Sequence, residues 1–175
     1  MFVILLIVNT VATILAGVLL LRFWMQAIRV RPPQSLSHFM YSLSDWLVLP
    51  MRRVIPGIGG YDWASLIGAF LIIVLSVSVM FIDGYTYAMV AKLALHRFLS
   101  WILYGFIVLL IAEAIFSWVN PHAPLAPFVR ALNEPLLRHL RRVVPLVGGI
   151  DLSMLVALIL LQIALYYLGA IFGIR

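Results

Sequence analysis

Residues 52–62 read Arg-Arg-Val-Ile-Pro-Gly-Ile-Gly-Gly-Tyr-Asp, and residues 141–151 read Arg-Arg-Val-Val-Pro-Leu-Val-Gly-Gly-Ile-Asp. Every shared position is separated by the same 89 residues. At that offset residues 39–66 and 128–155 agree at eleven of twenty-eight positions. The identities include Phe39/Phe128, Leu43/Leu132, Leu47/Leu136, Pro56/Pro145, Gly59/Gly148, Gly60/Gly149 and Asp62/Asp151. One unit has been used twice, so any architecture proposed for the first half must also serve for the second.

Each copy of this signature is flanked by apolar runs. Residues 2–21, 64–82 and 152–172 carry no charge, and residues 98–119 carry only Glu113. About 20 apolar residues in a helix, rising 1.5 Å each, cross a hydrocarbon core of ~30 Å. The whole chain is 65% hydrophobic and 10% charged, against about 25% charged in a soluble domain. A molecule of this size leaves roughly a third of its surface exposed, so lipid must be the solvent for much of it. No basic segment precedes the first run, which is therefore expected to stay as an anchor rather than be cleaved. Arg22 and Trp24 follow it as interface residues, where a snorkelling arginine and an indole are both stable.

Between the spans the pattern becomes amphipathic. Phe39, Leu43 and Leu47 recur every fourth residue, which predicts a helix lying in the membrane surface, with Pro50 as a place where it could break. Residues 128–144 repeat the theme. There Asn133, Glu134 and Pro135 suggest a helix start, because an Asn cap followed by acid and proline suits unpaired N–H groups. Arg138, Arg141 and Arg142 would then share one face. The glycine pair turns the chain, and Asp62 and Asp151 are placed to cap the next helix. Residues 85–97 hold Lys92, His96 and Arg97, and one helix over residues 85–119 would be too long for a single crossing. They are expected to form a separate interfacial helix.

The expected fold is thus all-α and integral to the membrane: four transmembrane helices in two tandem repeats, residues 1–84 and 98–175, joined by a connector at 85–97. A two-span unit returns the chain to its starting side, so both copies insert the same way and are parallel repeats. Of the twelve Lys and Arg residues, nine lie in the two repeat loops, at positions 22, 29, 31, 52, 53, 130, 138, 141 and 142. Those loops are therefore expected on the cytoplasmic side of a bacterial inner membrane, with both termini exterior. The same bias accounts for the net charge of +6 without nucleic acid as a partner.

The polar residues carry the candidate sites. Arg52, Arg53, Arg138, Arg141 and Arg142 form a basic motif that positive-inside anchoring and salt bridges to nearby Asp62 and Asp151 would explain, and that is suited alternatively to anionic headgroups or to a protein partner. Pro56, Gly59, Gly60 and Asp62, with Pro145, Gly148, Gly149 and Asp151, form the turn and cap. Glu113, the one acid inside a span, stands near enough to Trp118 to snorkel. Matching Trp24 to Trp118 gives Glu113 no charged counterpart in the first copy. Asn9 and Gln162 are read as interhelical hydrogen-bond partners; in the alternative they form with Glu113 a polar set facing a path through the membrane. The absence of cysteine removes disulfides and thiolate chemistry. The four histidines lack metal-ligand spacing, and the glycines match neither a P-loop nor a dinucleotide fingerprint, so no metal, cofactor or enzyme activity is expected.

Three stretches carry a family resemblance: Leu-Leu-Leu-Arg-Phe-Trp-Met-Gln at 19–26, Pro-Met-Arg-Arg-Val-Ile-Pro-Gly-Ile-Gly-Gly at 50–60, and Asn-Glu-Pro-Leu-Leu-Arg-His-Leu-Arg-Arg-Val-Val-Pro-Leu-Val-Gly-Gly-Ile-Asp-Leu-Ser at 133–153. Together they resemble the YggT family of bacterial integral membrane proteins. The resemblance implies links to osmotic-shock tolerance and to septum placement, and in plastid relatives to nucleoid distribution and b-type cytochrome maturation. It implies no defined molecular activity. The family pattern Asp-x-Ser-Pro after the glycines is replaced here by Asp62-Trp63-Ala64-Ser65 and Asp151-Leu152-Ser153-Met154. The expected function is a non-enzymatic envelope or scaffold factor that binds lipid or associates with itself or another membrane complex. The alternative is a small channel or transporter subunit serving ion or osmotic homeostasis.

Overall fold

The computed structural model describes residues 2–144 and 152–174. Six α-helices account for most of the described residues: α1 (Phe2–Ala27), α2 (Gln34–Val54), α3 (Trp63–Ser78), α4 (Tyr87–Val119), α5 (Ala126–Leu140) and α6 (Ser153–Phe172). A 3-10 turn, Val79–Asp83, extends α3, and there is no strand among the described residues. Among the described residues four helices are long and apolar enough to cross a membrane: α1, α3 with its 3-10 extension, α4 and α6.

The two copies stand side by side with the same polarity. Near the end of α1, Arg22 meets Asp62 at the start of α3, so α1 and α3 run antiparallel. His96 near the start of α4 lies 5.4 Å, ring to ring, from Phe172 at the end of α6, so that pair is antiparallel too. Arg97 of α4 donates to Asn9 of α1 at 2.9 Å, which puts the starts of α1 and α4 at one end. At the other end Trp24 Nε1 donates to the carbonyl of Leu132 at 3.0 Å, tying α1 to α5. Met25 and Met40 pack there with Phe128, Val129 and Leu132. All nine arginines of the repeat loops therefore belong to the end where α2 and α5 lie.

Small residues close the first bundle. Ala16 with Leu19 of α1 packs against Ala64, Ala69 and Ile73 of α3. At Gly68 a side chain would meet Met51, Leu19 and Leu47 at 3.4–3.6 Å, so α1, α2 and α3 converge on one backbone surface. Close approach of backbones supplies the van der Waals contact that drives association where lipid leaves no hydrophobic difference.

Four local expectations need correction. Residues 85–97 do not form a separate helix, because α4 is continuous from Tyr87 through all 33 residues. Thr86 caps it by accepting from the Met89 N–H, and the first turns are held by Val90 and Ala94 packing on Ile73 and Val77. Those contacts keep the helix running where an interfacial break was expected. At 1.5 Å per residue it measures about 50 Å, longer than the hydrocarbon core.

Pro50 does not break α2, and Asn133 does not start α5; Asn133 and Pro135 lie within that helix. The start is set instead by Pro127 in the first turn, where its missing N–H costs nothing. Finally, the row of α2 that faces the spans is Met40, Ser44 and Val48, while Phe39 is 57% and Trp46 63% exposed. The apolar row read from Phe39, Leu43 and Leu47 is shifted by one residue from the buried one, because buried Arg22 draws polar Ser44 inward.

Candidate functional site at the basic end

Arg22 is the centre of the first copy. Only 5% of it is exposed, so it does not snorkel, and a buried guanidinium must find partners in the protein. Its Nη1 donates to Ser44 Oγ at 2.7 Å and to Asp45 Oδ1 at 2.6 Å. Its Nε lies 3.4 Å from Asp62 Oδ2, and the Tyr41 ring lies 4.8 Å from the guanidinium carbon. Asp62, 2% exposed, also accepts from Arg52 Nη2 at 2.6 Å.

The aspartate caps α3 as well, accepting from the Ser65 N–H at 3.4 Å and from the Ser65 hydroxyl at 2.7 Å. A proline at position 65 would remove that N–H. Gly59 and Gly60, both left-handed with φ of 69° and 83°, bring Asp62 round to meet Arg52. Burial raises the Asp62 carboxyl, but the Arg52 hydrogen bond, the Ser65 hydroxyl and the charges of Arg52 and Arg22 outweigh it and hold the group below the usual carboxylate range. The Asp62 hydrogen bond in turn raises Arg52.

The second copy gathers repeat-equivalent residues around an acid instead of an arginine. Glu113, 6% exposed, accepts from Asn133 Nδ2 at 2.8 Å, and the same amide donates to the Leu109 carbonyl at 2.9 Å. Arg141 Nη2 and Arg130 Nε stand 3.8 and 3.9 Å from Glu113 Oε1. Arg141 Nη1 donates to Glu134 Oε2 at 2.8 Å. The partners fall at equivalent places in the repeat: Ser44 with Asn133, Asp45 with Glu134, Arg52 with Arg141. Glu113 therefore has a counterpart in the first copy, and it is Arg22. Matching the tryptophans concealed this, since contact places Arg22 where that register places Leu19. The chemical pairing of Asp45 with Glu134 at the repeat offset was the signal in the sequence.

The sequence-derived candidates separate into groups. Arg52 and Arg141 are held by acids, whereas Arg53, Arg138 and Arg142 are exposed and have no ion pair among the described residues. Arg138 lies in the last turn of α5, Arg141 is its C-cap, and Arg142 follows directly. Glu113 does not snorkel, because Asn133 provides a partner inside the protein. Asn9 serves Arg97 near the opposite end of the bundle. Gln162 is exposed on α6, so Asn9, Glu113 and Gln162 do not face one cavity. Pro145, Gly148, Gly149 and Asp151 lie outside the described residues. No three His, Asp or Glu side chains come together as a metal site among the described residues.

An open cleft of about 640 Å³ lies in the elbow between α1 and α2, with Arg22, Arg29, Arg31, Tyr41, Asp45 and Arg52 on its walls. A second, apolar groove of about 600 Å³ opens sideways between α1, α3 and α4 beside Gly17, Trp24, Trp101 and Gly105.

The CCB3/YggT family profile matches residues 1–82 and 92–172, one segment for each copy of the duplicated unit. The chain belongs to the CCB3/YggT family. An uncharacterised protein of Vibrio alginolyticus, from the region 3′ to proC, is 32% identical over 95% of this chain and 93% of its own length. The uncharacterised YggT protein of Escherichia coli K12 is 32% identical, covering 89% of this chain and 83% of its own length. An uncharacterised protein of Pseudomonas aeruginosa is 35% identical over 90% of this chain and 83% of its own length. No solved structure matches. The comparisons thus fix the family, and the four apolar helices supply the membrane character.

Proposed function

We propose that this CCB3/YggT protein is a non-enzymatic organiser of the bacterial inner membrane, whose basic end lies at the cytoplasmic face and holds anionic lipid headgroups. The observation that carries this reading is the gathering of nine arginines at one end of the bundle, five of them (Arg29, Arg31, Arg53, Arg138 and Arg142) without an ion pair among the described residues. Each such charge near an anionic leaflet contributes about 1 kcal/mol. The lipid collar would let the bundle recruit copies of itself or another membrane complex, in keeping with roles in osmotic tolerance or division. A conduit draws less support, because its three candidate polar residues stand apart.

Native mass spectrometry of the chain in neutral detergent tests the reading. The wild type should retain several anionic lipids, and the Arg53→Gln, Arg138→Gln, Arg142→Gln variant should retain at least about twofold fewer. Equal retention of phosphatidylcholine and anionic lipid by the wild type would reject it.

A further inference from the structure

Arg29 is held in a conformation that arginine avoids. Its φ is 58°, and it is the single non-glycine residue with positive φ among the described residues. The hydrogen bonds explain the position: Val30 N–H reaches the Met25 carbonyl at 3.0 Å, and Arg29 N–H reaches the Gln26 carbonyl at 3.2 Å. This pairing closes the end of α1 as a Schellman motif with Arg29 at the left-handed site, where glycine is the usual occupant. Glycine would relieve the strain there, and a strained residue that is nonetheless present invites a functional explanation.

The side chain lies on the wall of the elbow cleft. Arg29 and Arg31 are both exposed, and neither has an ion pair among the described residues. Arg22 and Arg52 line the same cleft, fixed by Asp45 and Asp62. Four guanidinium groups against two carboxylates leave a positive excess of two. Pro32 and Pro33 follow at once and restrict the path of the loop that carries Arg31. The corresponding loop of the second copy, residues 120–125, contains no arginine, so this cleft belongs to one copy alone. Guanidinium groups in such an array match the oxygens of a phosphate better than a point charge would. The cleft sits at the membrane-surface end, beside exposed Tyr41 and Leu49.

We propose that the elbow between α1 and α2 is a pocket for one phosphate group, gripped by Arg29 and Arg31 against the wall of Arg22 and Arg52. The proposal rests on the basic end being a holder of anionic lipid, and narrows that role to one pocket and one chemical group.

The test is a titration of the full chain in neutral detergent with short-chain phosphatidylglycerol, followed by native mass spectrometry. Phosphatidylcholine serves as control lipid and inorganic phosphate as competitor. The wild type should bind one phosphatidylglycerol more tightly than the rest. Arg29→Gln with Arg31→Gln should weaken that site about tenfold or more. Arg53→Gln with Arg142→Gln, removing the same charge outside the cleft, should change it less than about twofold.

Arg29→Gly should give two opposite signs: a Tm higher by about 2–4 °C and a weaker lipid site. Displacement by inorganic phosphate would support the pocket and assign it to soluble phosphate; lipid binding that resists phosphate would assign it to the headgroup. Equal weakening by both arginine pairs, or unchanged binding in Arg29→Gly, would overturn the pocket while leaving the wider lipid reading intact. A wild type that binds no phosphatidylglycerol would overturn both.

Discussion

Asp62→Ala should cost about 3–4 kcal/mol of stability, because it removes the counter-charge from a buried guanidinium and the cap from a membrane helix in one step. Arg22 is 6% exposed in its side chain, so it cannot recover the lost partner from water. Asp45→Ala removes another partner of the same arginine, yet its side chain is 39% exposed, and the expected loss is about 1 kcal/mol or less. Denaturant unfolding in detergent should separate the two variants clearly. A second readout comes from pH. The folded Asp62 carboxyl titrates below its ordinary value of 3.8, so its contribution is complete above that value and is lost as the pH falls through the lower, folded one. The stability gap between wild type and Asp62→Asn should therefore close on acidification below about pH 4. A gap that stays constant down to acid pH would show that the charge is not what Asp62 contributes.

Asn133→Leu should be the most damaging single change in the second copy, at about 2–3 kcal/mol. Leucine keeps the branching of asparagine but adds bulk at this fully buried position, so some overpacking accompanies the polar loss. The loss arises because Glu113 gives up its only hydrogen-bond donor inside 3 Å among the described residues and is left with Arg130 and Arg141 at 3.8–3.9 Å. The Leu109 carbonyl loses its side-chain donor as well. Glu113→Gln keeps an acceptor for Asn133 and should cost less than about 1 kcal/mol. If Asn133→Leu were as stable as wild type while Glu113→Gln unfolded, the charge of Glu113, and not its hydrogen bond, would be holding α4 to α5.

Much of the architecture was legible because membrane spans and a tandem duplication are both low-resolution signals: runs of some twenty apolar residues and a constant offset survive local ambiguity. The register of the surface helices was not legible in the same way. Apolar periodicity locates a lipid-facing row as readily as a protein-facing one, and in α2 the buried row contains Ser44, which no hydrophobic pattern would select. The charged pairing failed for a related reason. Arg22 near a tryptophan looks like an interface anchor, and only Ser44, Asp45 and Asp62 arriving from other segments make it an interior residue. Asn133 looked like a cap because it precedes an acid and a proline; its amide is used to bridge α5 to α4. Local sequence rules describe neighbours along the chain, whereas these residues are chosen by neighbours across it. The elbow cleft was hidden for the same reason, since Arg29 and Arg31 count merely as loop charges until α2 folds back beside them.

A lipid-holding basic end requires both copies to present their basic loops at one membrane face, the cytoplasmic one. The chain has no cysteine, so single-cysteine labelling needs no background removal. Val54 and Val143 are equivalent in the repeat and equally exposed, at 81% each. Val54→Cys and Val143→Cys should both react with a membrane-impermeant maleimide in inside-out vesicles and neither should react in intact spheroplasts. Labelling of either one from outside, or of the two from opposite faces, would contradict that arrangement.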